Sequence, residues 1–132
     1  MIELEGRSIT GPVLISSDKQ TLVFQTSLGN LTYRTDGDCC TYCWFAEING
    51  LDNVLGKFVT KVEERKMTSS ARGSCDVVDI MGYLITFSDF DRADIIFRAE
   101  HNGYYGGWCE LSKYDYHTKE LKPITEKYWS GA

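Results

Sequence analysis

The sequence predicts an α+β fold, mainly antiparallel β, built as two hairpin-rich modules with one short helix near residues 39–48. Three observations predict it. Short runs of β-branched and aromatic residues recur between clusters of Gly, Ser, Asn and Asp, the pattern of strands and turns. One stretch, Cys40, Cys43, Trp44 and Ile48, repeats at helical rather than strand spacing. Segments of the first half also reappear in the second half at matched intervals.

Taken in order, residues 3–16 read as a short strand broken by Gly11-Pro12, followed by the turn Ser16-Ser17-Asp18-Lys19. Residues 21–26 and 31–35 flank Ser27-Leu28-Gly29-Asn30 and form a β-hairpin with a Gly-Asn turn. Asp36 and Asp38 are each suited to cap a helix start, and Gly50 falls just beyond its end, which places the helix over residues 39–48. Residues 51–55 are compatible with one further turn. Gly56 opens a half-exposed strand over 57–66, and 68–74 (TSSARGS) read as a polar, mobile loop. Residues 76–88 form a long strand with a bulge expected at Gly82. Residues 93–100 form another, turning at His101-Asn102-Gly103, and 104–112 the last. The tail from 113 to 132 is polar, with Leu121, Ile124, Tyr128 and Trp129 at a partly helical spacing that Pro123 interrupts.

A chain of 132 residues fits a single domain that buries about two-thirds of its unfolded surface. An internal duplication, 1–55 and 56–112 with the tail 113–132 outside it, fits the echoes. Gly6-Arg7-Ser8-Ile9-Thr10 resembles Gly56-Lys57-Phe58-Val59-Thr60, and Leu22-Val23 resembles Leu84-Ile85. Arg34, Asp36, Asp38 and Trp44 match Arg98, Glu100, Asn102 and Trp108 at identical spacing. Strand-turn-strand patterns also repeat without common descent, so both explanations stand.

Charge narrows the function. The net charge of −5 and the pI of about 5.0 exclude a general phosphate-backbone binder, which needs a basic face. An acidic surface suits a basic protein partner, and a local arginine pocket can still hold a small anion. No apolar run is long enough to span a membrane, and MIELEGRSIT has no apolar signal core, so a cytoplasmic location is expected. Five cysteines, an odd number, point to reduced thiols packed as small hydrophobes.

Cys40 and Cys43 make a Cys-x-x-Cys, half of a zinc site, but the other candidates (Cys75, Cys109, His101, His117) are scattered and offer no second pair. A cysteine nucleophile would have only His101 or His117 as base, with no supporting spacing, and no phosphate loop is present. Neither an enzyme nor a metal or cofactor is therefore expected. Residues 102–108 carry more. Gly103, Gly106 and Gly107 free the backbone, while Tyr104, Tyr105 and Trp108 offer flat faces on which a base can stack, at about 1–3 kcal/mol per ring. The same residues equally describe a glycine-bent strand with its aromatics in the core. Arg34 and Arg98 each end a strand ahead of an acidic turn. Each is either paired to Asp36 or Glu100, or forms a guanidinium fork for a phosphate, with Arg72 as a third contact.

Gly37-Asp38-Cys39-Cys40 followed by Trp44-Phe45, a Gly-initiated strand ending in Val62-Glu63-Glu64, and Asn102-Gly103-Tyr104-Tyr105-Gly106-Gly107 resemble a family of small phage and prophage proteins of uncharacterised function, over the chain up to about Leu111. The resemblance implies a phage-encoded accessory protein working in the host-cell cytoplasm. By analogy of setting, such proteins blunt host defence. The expected function is a non-enzymatic binder that sequesters a small nucleotide-type signal. Trp44, Tyr104 and Tyr105 would stack on bases, Arg34 and Arg98 would meet phosphates, and Asp38 or Asn102 would read ribose or base edges. The alternative is an acidic inhibitor docking directly on a host defence protein or nuclease. A homodimer through the aromatic tail (Tyr128, Trp129) is compatible with either. The site is expected where the two paired segments, around 37–45 and 101–109, meet.

Overall fold

Apolar residues alternate with polar ones through much of this chain, the period of two that strands require. The computed structural model describes residues 1–37, 42–72, 76–101, 107–112 and 120–131. Among these residues there are ten strands and one 3-10 turn, Ile2–Leu4. The strands are β1 (Leu14–Ser16), β2 (Thr21–Thr26), β3 (Gly29–Gly37), β4 (Tyr42–Asn49), β5 (Val59–Arg72), β6 (Asp76–Phe87), β7 (Arg92–His101), β8 (Gly107–Leu111), β9 (Leu121–Pro123) and β10 (Tyr128–Ser130). Every pairing is antiparallel. They form two five-stranded sheets, sheet I in the order β8-β3-β2-β1-β9 and sheet II in the order β10-β4-β7-β6-β5.

One apolar cluster joins the sheets face to face. Sheet I contributes Ile15, Leu22, Phe24, Leu31 and Tyr33, and sheet II contributes Phe45, Ile48, Ile85, Ile95 and Phe97. Phe24 meets Tyr33 edge-on at 5.9 Å, and Phe45 meets Phe97 at 6.2 Å and 65°, both favoured aromatic geometries. Tyr33 is fully buried, yet its hydroxyl donates to Glu3 at 2.9 Å. Burial alone would raise the Glu3 carboxyl, but hydrogen bonds from the backbone and Tyr33 outweigh it and hold the group below its ordinary range.

The mainly antiparallel β expectation holds, while the helix at 39–48 and the α+β class do not. Residues 42–49 are strand β4, and 39–41 lie outside the described residues. The physical reason is a β-bulge. Cys43 and Phe45 face the core and Trp44 faces out, as a strand requires; then the register slips between Phe45 and Glu47. The slip puts Ala46 and Ile48 inward as well, so apolar residues fall three apart and imitate a helix. The first hairpin forms, but not through the expected Gly-Asn turn: Thr26 stands opposite Gly29, so the two-residue turn is Ser27-Leu28, and Gly29, at φ +111°, and Asn30 open β3. Residues 68–72, expected as a loop, continue β5 in register with β6 to Arg72↔Asp76. The bulges lie in β5, at Val59/Lys61 and Lys66/Thr68, whereas Gly82 pairs regularly on both sides.

Both ends of the chain close the sheets. The N-terminal segment bends at Gly11-Pro12. Its first part bonds to β2 through Thr10 N–H to the Gln25 carbonyl and to the start of β5 through Val59 N–H to the Arg7 carbonyl, both 2.9 Å. Glu5 accepts the N–H of Val62 at 2.9 Å, occupying a donor on the open edge of β5. The described part of the tail, 120–131, carries two strands and no helix: β9 becomes the edge of sheet I against β1, and β10 the edge of sheet II against β4. Pro123 fits an edge strand, where a missing N–H costs little. Ile124 is buried, and Trp129 packs against the core. Removing residues 120–132 therefore uncovers β1 and β4 together. Loss of the cooperative thermal transition is expected, whereas Phe97→Ala should retain a transition weakened by about 3–5 kcal/mol in chemical denaturation.

Candidate functional site

The outer face of sheet II gathers the residues with unspent chemistry. Along β4 and β7, Cys43, Phe45, Ile95, Phe97 and Ala99 point into the core, so the residues between them point outward. In register, Tyr42 stands opposite Glu100, Trp44 opposite Arg98, Glu47 opposite Ile96 and Asn49 opposite Asp94. On the far side of β7, Arg98 stands opposite Ile80 and Ile96 opposite Gly82, and Gly82 in turn opposite Arg65 of β5. Gly82 puts no side chain into this surface, and a concavity of about 320 Å³ opens there, lined by Glu47, Asn49, Arg65, Ile96 and Tyr128 among others.

Trp44 and Arg98 are brought together as direct cross-strand neighbours. Tyr42 extends the aromatic surface, with its ring centroid 5.0 Å from that of Trp44 at a tilt of 31°, and it is 53% exposed. Among the described residues Arg98 pairs with Glu47, across the bulge at 4.0 Å, rather than with Glu100. Arg98 Nε is buried without a hydrogen-bond partner, an arrangement that costs stability. Glu47 also accepts the Tyr128 hydroxyl; slight desolvation and that bond together push the phenol above its ordinary range. The half-buried Arg98 thus faces one distant carboxylate whose oxygens are shared with a tyrosine.

Arg34 lies elsewhere. It is exposed on the outer face of sheet I, opposite Glu110 of β8 and Thr21 of β2. Trp108, on the same strand as Glu110, donates its indole N–H to that carboxylate at 3.1 Å. Arg34 and Arg98 therefore stand on opposite outer faces. Asp38, Asn102, Tyr104 and Tyr105 lie outside the described residues, as does most of the Gly-Tyr-Tyr-Gly-Gly run.

The strands leading to those segments do converge. The chain leaves sheet I after Gly37 and enters sheet II at Tyr42; it leaves sheet II after His101 and re-enters sheet I at Gly107. Gly37 pairs with Gly107 on one side of the crossing and Tyr42 with Glu100 on the other. The echoed tryptophans occupy related positions, Trp44 opposite Arg98 and Trp108 opposite Asp36. Tyr42 and Glu47 went unnoticed in the sequence, and Tyr128 was expected in a dimer contact rather than at this site. The alternation Tyr42-Cys43-Trp44-Phe45 is the signal that marks Tyr42, and the helical spacing masked it.

The cysteines that are described are structural in placement. Cys43 is buried in β4, and Cys109 in β8 is partly buried with its thiol pushed up to about 12, chiefly by burial. Among the described residues no group of three or more His, Cys, Asp or Glu is placed to hold a metal ion, and no helix is long and apolar enough to cross a membrane.

The fold and this surface define an all-antiparallel two-sheet β protein with a ligand-sized concavity on one outer face. Residues 3–111 match a family described as a domain of unknown function, DUF7448, and the chain belongs to that family. It is also similar to an uncharacterised protein of Acanthamoeba polyphaga mimivirus, 31% identical over 84 residues, covering 60% of this chain and 65% of that protein. The match thus spans less than two-thirds of the viral relative's length. No solved structure matches.

Two outcomes follow from the geometry. Arg98→Met should leave stability unchanged or raise it by up to about 1 kcal/mol in urea denaturation, because it removes a buried donor without a partner. In native protein treated with iodoacetamide at pH 8, peptide mapping should find Cys43 and Cys109 unmodified until the chain is unfolded.

Proposed function

We propose that the chain is a virus-encoded accessory protein of phage type that acts in the host-cell cytoplasm as a non-enzymatic binder and sequesters a small nucleotide-type defence signal. The observation that carries this reading is the pair Trp44–Arg98: a flat ring directly across from a guanidinium that keeps a buried, unpartnered N–H. A base stacking on Trp44 or Tyr42 leaves its phosphate within reach of Arg98, and Glu47 and Asn49 in the adjoining concavity offer partners for sugar hydroxyls or exocyclic amines. Supporting contacts from Asp38, Asn102, Tyr104 and Tyr105 belong to the same proposal, since the strands that lead into their segments meet beside Tyr42. Arg34, on the other sheet, serves this site only through a ligand that reaches round the crossing. The net charge of −5 favours a second reading, an acidic inhibitor that docks on a basic defence protein or nuclease without a small ligand.

Thermal unfolding with mono-, di- and cyclic nucleotides separates the two. A true ligand at a hundred times its Kd adds about 2.7 kcal/mol of stability, and Trp44→Ala and Arg98→Ala should each abolish the gain. If no nucleotide shifts the transition at saturation, the sequestering function is wrong. Ligand recovered intact after heat denaturation is expected; recovery as cleaved product would make the chain an enzyme instead.

A further inference from the structure

The end of the sandwich away from the crossing carries the most conspicuous unspent apolar surface. Phe90, in the β6–β7 turn, is 87% exposed and sits at φ +69°. The left-handed region is a genuine outlier for a bulky aromatic, and glycine or asparagine would hold it with less strain. The turn is fixed rather than loose. Phe90 N–H donates to the Phe87 carbonyl at 3.0 Å, Phe87 N–H to the Asp91 carbonyl at 2.9 Å, and Asp91 N–H to the Asp89 carboxylate at 3.0 Å. Lys57 ties down both Asp89 and Asp91, and hydrogen bonding to Asp91 in particular raises its ammonium pKa.

Three other apolar tips share this end. Ser88 N–H bonds to the Phe58 carbonyl, Ser8 bridges Phe58, and Ser27 N–H bonds to the Ser8 carbonyl, so Leu28, Phe58 and Phe90 are laced to one another. Leu55 precedes the Gly56 whose N–H bonds to Ile9 in the same region. Leu28 is 72% exposed and Leu55 66%. Within one copy, then, Phe90 bears conformational strain and gains almost no burial in return.

We propose that this end is a self-association surface whose occupant is a second copy of the chain, the aromatic tip of each copy packing on Phe58, Leu28 and Leu55 of the other across a two-fold axis. The charge pattern selects this occupant. Lys57 and Arg92 balance Asp89 and Asp91, so the patch is locally neutral on a chain of net charge −5. A neutral, mixed-sign rim with an apolar centre is self-complementary and avoids repulsion between two acidic molecules. A one-signed basic partner would be matched by an unbalanced acidic rim. A lipid surface would have to take up the two carboxylates that flank the aromatic. The surface is built from Leu28, Leu55, Phe58 and Phe90 and uses neither Trp44 nor Arg98, so the interface leaves that pair on the outer face of sheet II free.

Sedimentation velocity over roughly two decades of concentration tests the proposal. The wild-type chain should pass from monomer to dimer. Phe90→Gly should weaken that association at least about tenfold while its monomer melts no lower than wild type, because glycine occupies φ +69° without strain. Leu28→Asp, at a separate loop tip, should weaken it as well. A wild-type chain that stays monomeric throughout overturns the proposal, as does a Phe90→Gly dimer as tight as wild type. Phe90-dependent flotation of monomer with phosphatidylcholine vesicles would assign the surface to lipid instead. Nucleotide-dependent melting shifts should be the same in Phe90→Gly as in wild type, so the two proposals stand or fall separately.

Discussion

Everything in this molecule hangs on two stretches of chain that pair antiparallel with each other in both sheets. β3 pairs with β8 in sheet I, and their continuations β4 and β7 pair in sheet II. The same two lengths of chain are thus neighbours in both layers, which ties the sheets to each other. The buried aromatics follow from this. Tyr33 and Phe45, only 12 residues apart in sequence, enter one core from opposite walls because the chain crosses between them. The same pairing sets Trp44 against Arg98 and holds their outward direction, since the alternating neighbours are locked inside.

The bulge at Phe45/Glu47 is the second constraint. A regular strand would put Ala46 and Ile48 outward with Trp44. The inserted residue turns them inward and brings Glu47 to the outer face opposite Ile96, within 4.0 Å of Arg98. The strand bends there, and its free edge divides between two partners: Lys19 accepts the Phe45 N–H, and β10 pairs with Glu47 to Asn49. One extra residue therefore serves packing, edge protection and the electrostatics around Arg98 at once.

Much of the strand order was legible because alternation reports burial directly; the first hairpin and the long runs at 76–88 and 93–100 appear nearly as read. The bulge defeated the same logic, since two inward residues in succession followed by a third at i+3 mimic a helix. Residues 68–72 failed for another reason. Small polar residues carry no burial signal, yet a hairpin continues through them because backbone pairing does not require apolar side chains. The tail was illegible because its two edge strands are three residues each, too short for any period to show. Of the expected site, Trp44 and Arg98 were readable as residues that sequence spacing made equivalent to Trp108 and Arg34. Their cross-strand contact was not, because register between distant strands is fixed by the whole sheet. Arg34 looked equivalent and lies on the other sheet, which spacing along one dimension cannot reveal.

The placement of β9 and β10 has a consequence for biogenesis. Both outer strands come from residues 121–130, yet they complete sheets whose other members are synthesised well before them. A nascent chain carrying everything through Leu111 has its central pairings available but leaves β1 and part of β4 with unpaired backbone. Final closure must then wait for the tail to leave the ribosome, and much of the pairing is non-local, a combination that slows folding. The interval between synthesis of β8 and docking of β10 is when this protein is most exposed to intermolecular strand pairing, and when a chaperone that shields open edges would matter most.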